Sequence, residues 1–335
     1  MSEELLVTAR DNALIDPGLH IWTWEVAMYL FMGGLTAGIM FFAALMTVRN
    51  KEHVAPFATT RVALLAPIAL SIGMTTLFLD LEHKLFVYRF YTAFTITSPM
   101  SWGAWILVFV YPISVLQILS TFRSGYPVLA THVDSVTPGR LLMDWCERNR
   151  RAIAFTVIPF AVALGIYTGI LLSAFGARPF WNSGALGLLF LVSGLSTAAA
   201  LVVLLARQKS EKELFTGLDL SLIFAEIALV VLMLISLASG SGQHIDALKI
   251  IMGGPYTLPF WVLFVGVGLL IPALLETLEI LGINKSLAIL APVLVLVGGY
   301  ALRHVVMEAG QESTWTHYET QYSSELLERL HEKNP

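Results

Sequence analysis

Apolar runs of membrane-crossing length dominate this chain, and polar residues collect between the runs rather than alternating within them. About 20 apolar residues in a helix cross the roughly 30 Å hydrocarbon core of a bilayer. Eight runs meet that length: 22–48, 58–79, 100–121, 152–175, 181–206, 219–238, 257–281 and 286–306. They predict an all-α integral membrane protein with eight transmembrane helices. Continuous runs exclude a β-barrel, whose strands alternate between lipid and lumen. The connectors are short except for 80–99 and 122–151, and the polar tail after Glu308 carries SSELLERLHEK, patterned as a short amphipathic helix.

Composition agrees with the pattern. A mean hydropathy of +0.74, with 56% hydrophobic and 13% charged residues, excludes a soluble globule and gives no case for nucleic acid as a partner. The single cysteine, Cys146, rules out an intrachain disulfide and a four-thiolate iron–sulfur cluster held by this chain alone. The segment 1–18 is polar and acidic without a basic start, so a cleavable secretory signal is not expected.

Basic residues predict the orientation. Arg49, Lys51, Arg61, Arg123, Arg140, Arg148, Arg150, Arg151, Arg207, Lys209, Lys212 and Lys285 lie on or beside the odd connectors, twelve against the four (Lys84, Arg89, Arg178, Lys249) on the even ones. The positive-inside rule then puts the odd connectors in the cytoplasm and both termini outside, in a multi-pass protein of a prokaryotic cytoplasmic membrane.

A faint repeat runs through the spans. GLTAG at 34–38 resembles GLSTA at 194–198, and Pro99 and Pro112 match Pro259 and Pro272, all at an offset of 160. Gly165-Ile-Tyr167 resembles Gly298-Gly-Tyr300 at an offset of 133. An offset of four helices preserves orientation, which predicts two parallel four-helix bundles, 22–175 and 181–306, between extracytoplasmic segments 1–21 and 307–335. Chance similarity between helices rich in Gly and Leu is the other reading.

A membrane cytochrome needs paired imidazoles inside the bundle. Of eight histidines only His20 and His304 touch a span, each at its outer end, so no haem is expected. The polar groups within the spans fall into two layers. Tyr29 on span one and Tyr167 on span four both lie about 12 Å below the outer face, with Glu25 one turn above Tyr29. Asp80, Glu82 and His83 cap span two nearby. Phenol, imidazole and carboxylate beside an apolar cleft suit a quinone, whose two carbonyls need donors and whose tail needs an apolar wall. Glu25 reaching interfacial water, and Tyr167 holding helices together, remain open as structural alternatives. The inner layer is Glu226 on span six and Glu276 on span seven, with Glu279 a turn later. Such acids mark a proton path or pair with a neighbour such as Arg61. Arg303 either snorkels outward or serves the outer acids as counter-ion.

Tyr29-Leu-Phe-Met-Gly-Gly-Leu-Thr-Ala-Gly38, Asp80-Leu81, Ser98-Pro-Met-Ser-Trp-Gly103, Tyr167-Thr-Gly169 and Arg303 followed by Ala309-Gly-Gln311 resemble the NrfD family, the membrane subunits of polysulfide-reductase-like complexes. The resemblance implies a quinone-reactive subunit without its own redox centre, using menaquinone or ubiquinone. Its implied partners are an extracytoplasmic ferredoxin-like iron–sulfur protein and, beyond it, a catalytic subunit such as a molybdopterin enzyme. It also implies a quinone pocket near the outer face in the first bundle, with Tyr167 as the family's tyrosine and Tyr29 where polysulfide reductase has a histidine. The asparagine partner falls on Val26, so Glu25 substitutes in the expected pattern, and Glu82-His83-Lys84 departs from the usual glycine-arginine-proline corner. The expected quinone site is thus His20, Glu25, Tyr29, Asp80, His83 and Tyr167, with Tyr167 and Glu25 catalytic. The expected proton path is Glu226, Glu276 and Arg303. A proton or solute transporter, or a purely structural anchor, are the rival functions.

Overall fold

A computed structural model of the chain describes residues 22–283 and 289–313. His20 and the amphipathic segment of the tail lie outside the described residues. Among the described residues, eight helices have the length and apolarity to cross a membrane: α1 (Trp24–Val48), α2 (Pro56–Asp80), α3 (Pro99–Leu119), α4 (Arg150–Ser173), α5 (Leu186–Leu205), α6 (Lys209–Ala238), α7 (Pro259–Ile280) and α8 (Leu290–Glu312). Two of them outrun their apolar segments. α6 starts at Lys209, well before the apolar run, because KSEKELFTGLDL keeps good helix formers and its buried Glu211 and Phe215 face protein. α8 continues past its apolar run to Glu312, where Glu308 accepts from the Tyr256 hydroxyl and Gln311 pairs with the backbone of Trp22.

α1, α5 and α8 are the most enclosed spans and α6 the least. α1 packs along α2, α4, α5 and α8; α5 packs along α1, α4, α6 and α8; α3 lies against α4 and α2, and α7 against α8 and α6. Exchanging α1 with α5, α2 with α6, α3 with α7 and α4 with α8 maps this set of span contacts onto itself. The centre is made by missing side chains. A Cβ on Gly38 would lie 2.4 Å from the Gly194 carbonyl oxygen, and one on Gly194 would lie 2.6 Å from that of Gly34. The two similar segments, GLTAG and GLSTA, therefore pack on each other, backbone to backbone. Gly268 and Gly298 bring α7 and α8 together in the same way.

The buried apolar side chains form two large clusters stacked in depth. One joins Tyr29, Leu30 and Leu172 to Phe190, Phe260 and Leu302. The other joins Met40, Leu70 and Val157 to Ala199, Val203 and Phe215. Each draws on both sides of the 175–181 connector, so the interior runs continuously across it.

Both described ends lie on one face, here the terminal face; the opposite, basic face carries the odd connectors. Trp22 N–H donates to Gln311 Oε1 and Gln311 Nε2 donates back to the Trp22 carbonyl, each at 2.8 Å. Gly310 leaves room for the Trp181 indole, whose Nε1 donates to the Val306 carbonyl at 2.7 Å. The Ala309-Gly-Gln311 segment thus locks the start of α1 to the end of α8. On the basic face, the long connector folds as Phe122–Gly125, Pro127–Asp134 and Thr137–Arg148. Arg123 holds these pieces together through Asp134 at 2.6 Å, Asp144 at 2.7 Å and Glu147 at 2.9 Å.

Candidate functional site

Near the terminal face, α1 to α4 and the connector after α2 enclose a cavity of about 250 Å³. Its wall is mostly apolar, with Val26, Leu30, Met74, Leu107 and Leu172 among the lining residues, and its polar groups are few: Tyr29, Asp80, Tyr91 and Tyr167. Tyr29 and Tyr167 are buried, and their phenol groups adjoin each other. The position of Tyr167 is set by Gly103, where a Cβ would lie 1.8 Å from the tyrosine Cζ. The Ser98–Gly103 segment serves this placement: Pro99 opens α3, and Gly103 one turn later accepts the ring from α4.

Of the expected site residues, the fold brings Tyr29, Asp80 and Tyr167 to one cavity. Glu25 does not line it. Its carboxylate accepts a hydrogen bond from the Thr23 hydroxyl above the cavity, on the side toward Asp80 and Tyr300. His83 is exposed on the turn after α2, its ring edge-on to Phe86. The corner where Glu82-His83-Lys84 replaces the usual sequence is turned toward solvent, which carries the imidazole away. Tyr91 is a cavity residue absent from the expected set. It sits on the short helix Arg89–Thr92, and burial pushes its phenol up, with Tyr111 nearby adding to the effect. The aromatic density of the connector, FVYRFYTAF, is the one signal that could have pointed to it.

A second polar group runs through the second half. Arg303 is fully buried: Nη1 donates to Ser193 Oγ and to the Gly299 carbonyl, both at 2.7 Å, and Nη2 donates to the Phe190 carbonyl at 3.0 Å. It neither snorkels nor serves the outer acids; its charge faces Glu226, which also adjoins Ser193. Two turns further along α6, Asp219 accepts from Ser196 Oγ at 2.5 Å and lies within hydrogen-bonding reach of Glu276. Asp219 Oδ2 and Glu276 Oε2 are buried without any other partner. Glu276 is 1% exposed and pairs with Asp219, not with Arg61, which is exposed elsewhere on the basic face. Two carboxyl groups this close interact favourably only when they share a proton. The order from the middle of the molecule to the basic face is Arg303, Ser193, Glu226, Asp219 with Ser196, then Glu276. Asp219 escapes the sequence pattern because it stands at the edge of the apolar run, whereas the helix begins at Lys209.

No group of three or more His, Cys, Asp or Glu side chains suited to a metal occurs among the described residues. The chain is similar to protein NrfD of Escherichia coli K12, at 28% identity over 306 residues that cover 87% of this chain and 95% of that protein. It is similar to a polysulfide reductase chain of Wolinella succinogenes, at 29% identity over 306 residues, 87% of this chain and 94% of that one. A tetrathionate reductase subunit of Salmonella typhimurium matches at 28% identity over 220 residues, 63% of this chain and 56% of its own length. The family described as polysulphide reductase, NrfD, matches residues 14–314, a stretch that holds all eight spans and both polar groups, and the chain belongs to that family.

Proposed function

We propose that this chain is the quinone-reactive membrane subunit of a multi-subunit respiratory oxidoreductase. The observation that carries the reading is the cavity enclosed by α1 to α4, where two adjoining buried phenols, the Tyr91 phenol and one carboxyl group face an otherwise apolar wall. Its volume suits a quinone ring rather than the whole lipid-like molecule, and its apolar lining suits the start of the tail. The relatives from polysulfide and tetrathionate reductases are each one component of a larger enzyme, which supports partner subunits that carry the catalytic chemistry. With one buried thiol, this chain offers no cluster ligands, so electrons pass to or from a partner's iron–sulfur centres on the terminal face, which the charge bias makes extracytoplasmic.

Menaquinone or ubiquinone is the substrate class, and it exchanges two electrons and two protons. The Tyr167 phenol, positioned by Gly103, donates to a carbonyl oxygen, and Tyr29 beside it extends the same hydrogen-bonding edge. Asp80, at the mouth, takes up or returns a proton at its carboxylate. The Arg303–Glu226–Asp219–Glu276 series supports proton transfer toward the basic face. Arg303 faces Glu226, and the paired carboxyls of Asp219 and Glu276 can share a proton that is passed on.

Tyr167→Phe in the complex purified with its native partners tests the reading. It is expected to assemble normally and to lose quinone-coupled turnover by roughly tenfold to a hundredfold, the low end of acid–base assistance. Partner activity with an artificial electron acceptor is expected to stay intact. Full quinone-coupled turnover in an assembled variant would remove Tyr167 from the site.

A further inference from the structure

At the opposite end of the molecule, a cleft of about 480 Å³ opens on the basic face. It lies where the α1–α2 connector meets the starts of α2, α4 and α6 and the end of α5, at the basic ends of these spans. Three arginines line it, Arg61, Arg150 and Arg207, with His53 beside them and two acids, Glu52 and Glu211.

Both acids are already engaged. Glu211 is fully buried and accepts from the backbone N–H groups of Phe57 at 3.3 Å and Ala58 at 2.7 Å, closing the start of α2. Glu52 forms an ion pair with the Arg150 guanidinium. The cations are not matched in the same way. Arg150 Nε is buried in the wall and has no hydrogen-bond partner. Arg61 and Arg207 are exposed and have no carboxylate partner among the described residues. The cleft therefore holds an excess of guanidinium donors around a space large enough for a substituted phosphate. Guanidinium groups match phosphate oxygens in pairs, and here three of them outnumber the two engaged carboxylates.

We infer that this cleft binds a phosphate group. It goes beyond the quinone reading and is independent of it, since no residue is shared between the two sites. Two sources present that chemistry here, the headgroup of an anionic phospholipid of the basic-side leaflet or a free phosphate from solution. Basic pockets between helix ends at a membrane surface suit the first, and the same donors suit the second.

The test uses the protein purified with its partner subunits, after exchange into phosphatidylcholine nanodiscs doped with phosphatidylglycerol. Native mass spectrometry counts retained phosphatidylglycerol, and calorimetry in zwitterionic detergent measures inorganic phosphate. The double variant Arg61→Gln/Arg207→Gln removes two exposed side chains without disturbing the buried Glu211 contact, and Arg178→Gln on the other face is the control. Retention of phosphatidylglycerol that falls about thirtyfold in the double variant, as expected for two basic groups near an anionic headgroup, supports the lipid source. Phosphate binding that falls likewise, without lipid retention, supports the soluble source. Equal retention in wild type and double variant, or binding of neither probe, overturns the site. Arg61→Lys/Arg207→Lys is expected to keep part of the binding, because lysine keeps the charge but loses the paired donors. Quinone-coupled turnover of these variants reports separately on the other cavity.

Discussion

Gly103 has no side chain to interpose between its backbone and the Tyr167 ring, and a Cβ there would lie 1.8 Å from Cζ. Gly103→Ala must therefore push the ring out of its place while leaving the phenol chemically intact. The expected result is an assembled complex whose quinone-coupled turnover falls roughly tenfold or more, matching Tyr167→Phe. Wild-type turnover in that variant would show that the position of the ring does not matter. Asp219→Asn makes the corresponding case in the other polar group. It keeps the bond to Ser196 through an amide but cannot share a proton with Glu276. Proteoliposomes are expected to lose cytoplasmic proton uptake or release by roughly tenfold or more, while turnover in detergent, where no gradient forms, persists. Undiminished proton movement would assign the pair to structure. At this scale legibility depended on regular helix. Counting the rise along α1 and α4 placed Tyr29 and Tyr167 at one depth, because both sit inside unbroken spans. Tyr91 was not legible, since its place is set by how a connector folds back. Glu25 and His83 depart from expectation for a related reason: depth along a helix does not say which way a side chain turns at its end.

Between elements, the similarity of GLTAG and GLSTA was visible in the sequence, but the contact between them was not. One chain read alone does not say which helix meets which. Gly194→Ala sets a Cβ 2.6 Å from the Gly34 carbonyl oxygen, where only a separation of α1 and α5 relieves it. A loss of about 1–3 kcal/mol is expected, read as a lower thermal midpoint in detergent. Gly184→Ala, whose Cβ meets nothing within 4 Å, is expected to leave the midpoint unchanged. An unchanged midpoint for Gly194→Ala would mean that α1 and α5 have slack. The clasp around Arg123 carries a pH dependence. Hydrogen bonding from the Arg123 guanidinium holds the Asp134 carboxyl below its usual range. With a depressed folded pKa, the clasp stabilises fully above the unfolded carboxylate value, about 4, and is lost as pH falls through the folded value. Hydrogen exchange across 127–148 is expected to rise only below about pH 4 in the wild type. In Arg123→Ala it should already be high at neutral pH and change less on acidification. Identical profiles would sink the clasp.

For the molecule as a whole, the number of spans and the crowding of basic residues on one face were legible because they depend on length and charge alone. Orientation is checked by cysteine labelling in intact cells. Cys146 is buried, so its silence toward an impermeant reagent is uninformative, and an exposed probe is needed on each face. Asn182→Cys on the terminal face is expected to react from outside and Lys51→Cys on the basic face only after lysis. The opposite result would move the cavity proposed for quinone to the cytoplasmic side. The paired hydrogen bonds between Trp22 and Gln311 join positions 289 residues apart, and α1 is the most enclosed span of the eight. A ribosome delivers α1 first, long before α5 and α8 exist to cover its glycine strip. Until α5 and α8 are made, that strip faces lipid or whatever machinery inserts the protein. α1 is thus made before the helices that cover it, and the terminal face closes over its start only once α8 has been added. A chain cut short before Gln311 lacks that closure and leaves the backbone at Trp22 without its partner on α8.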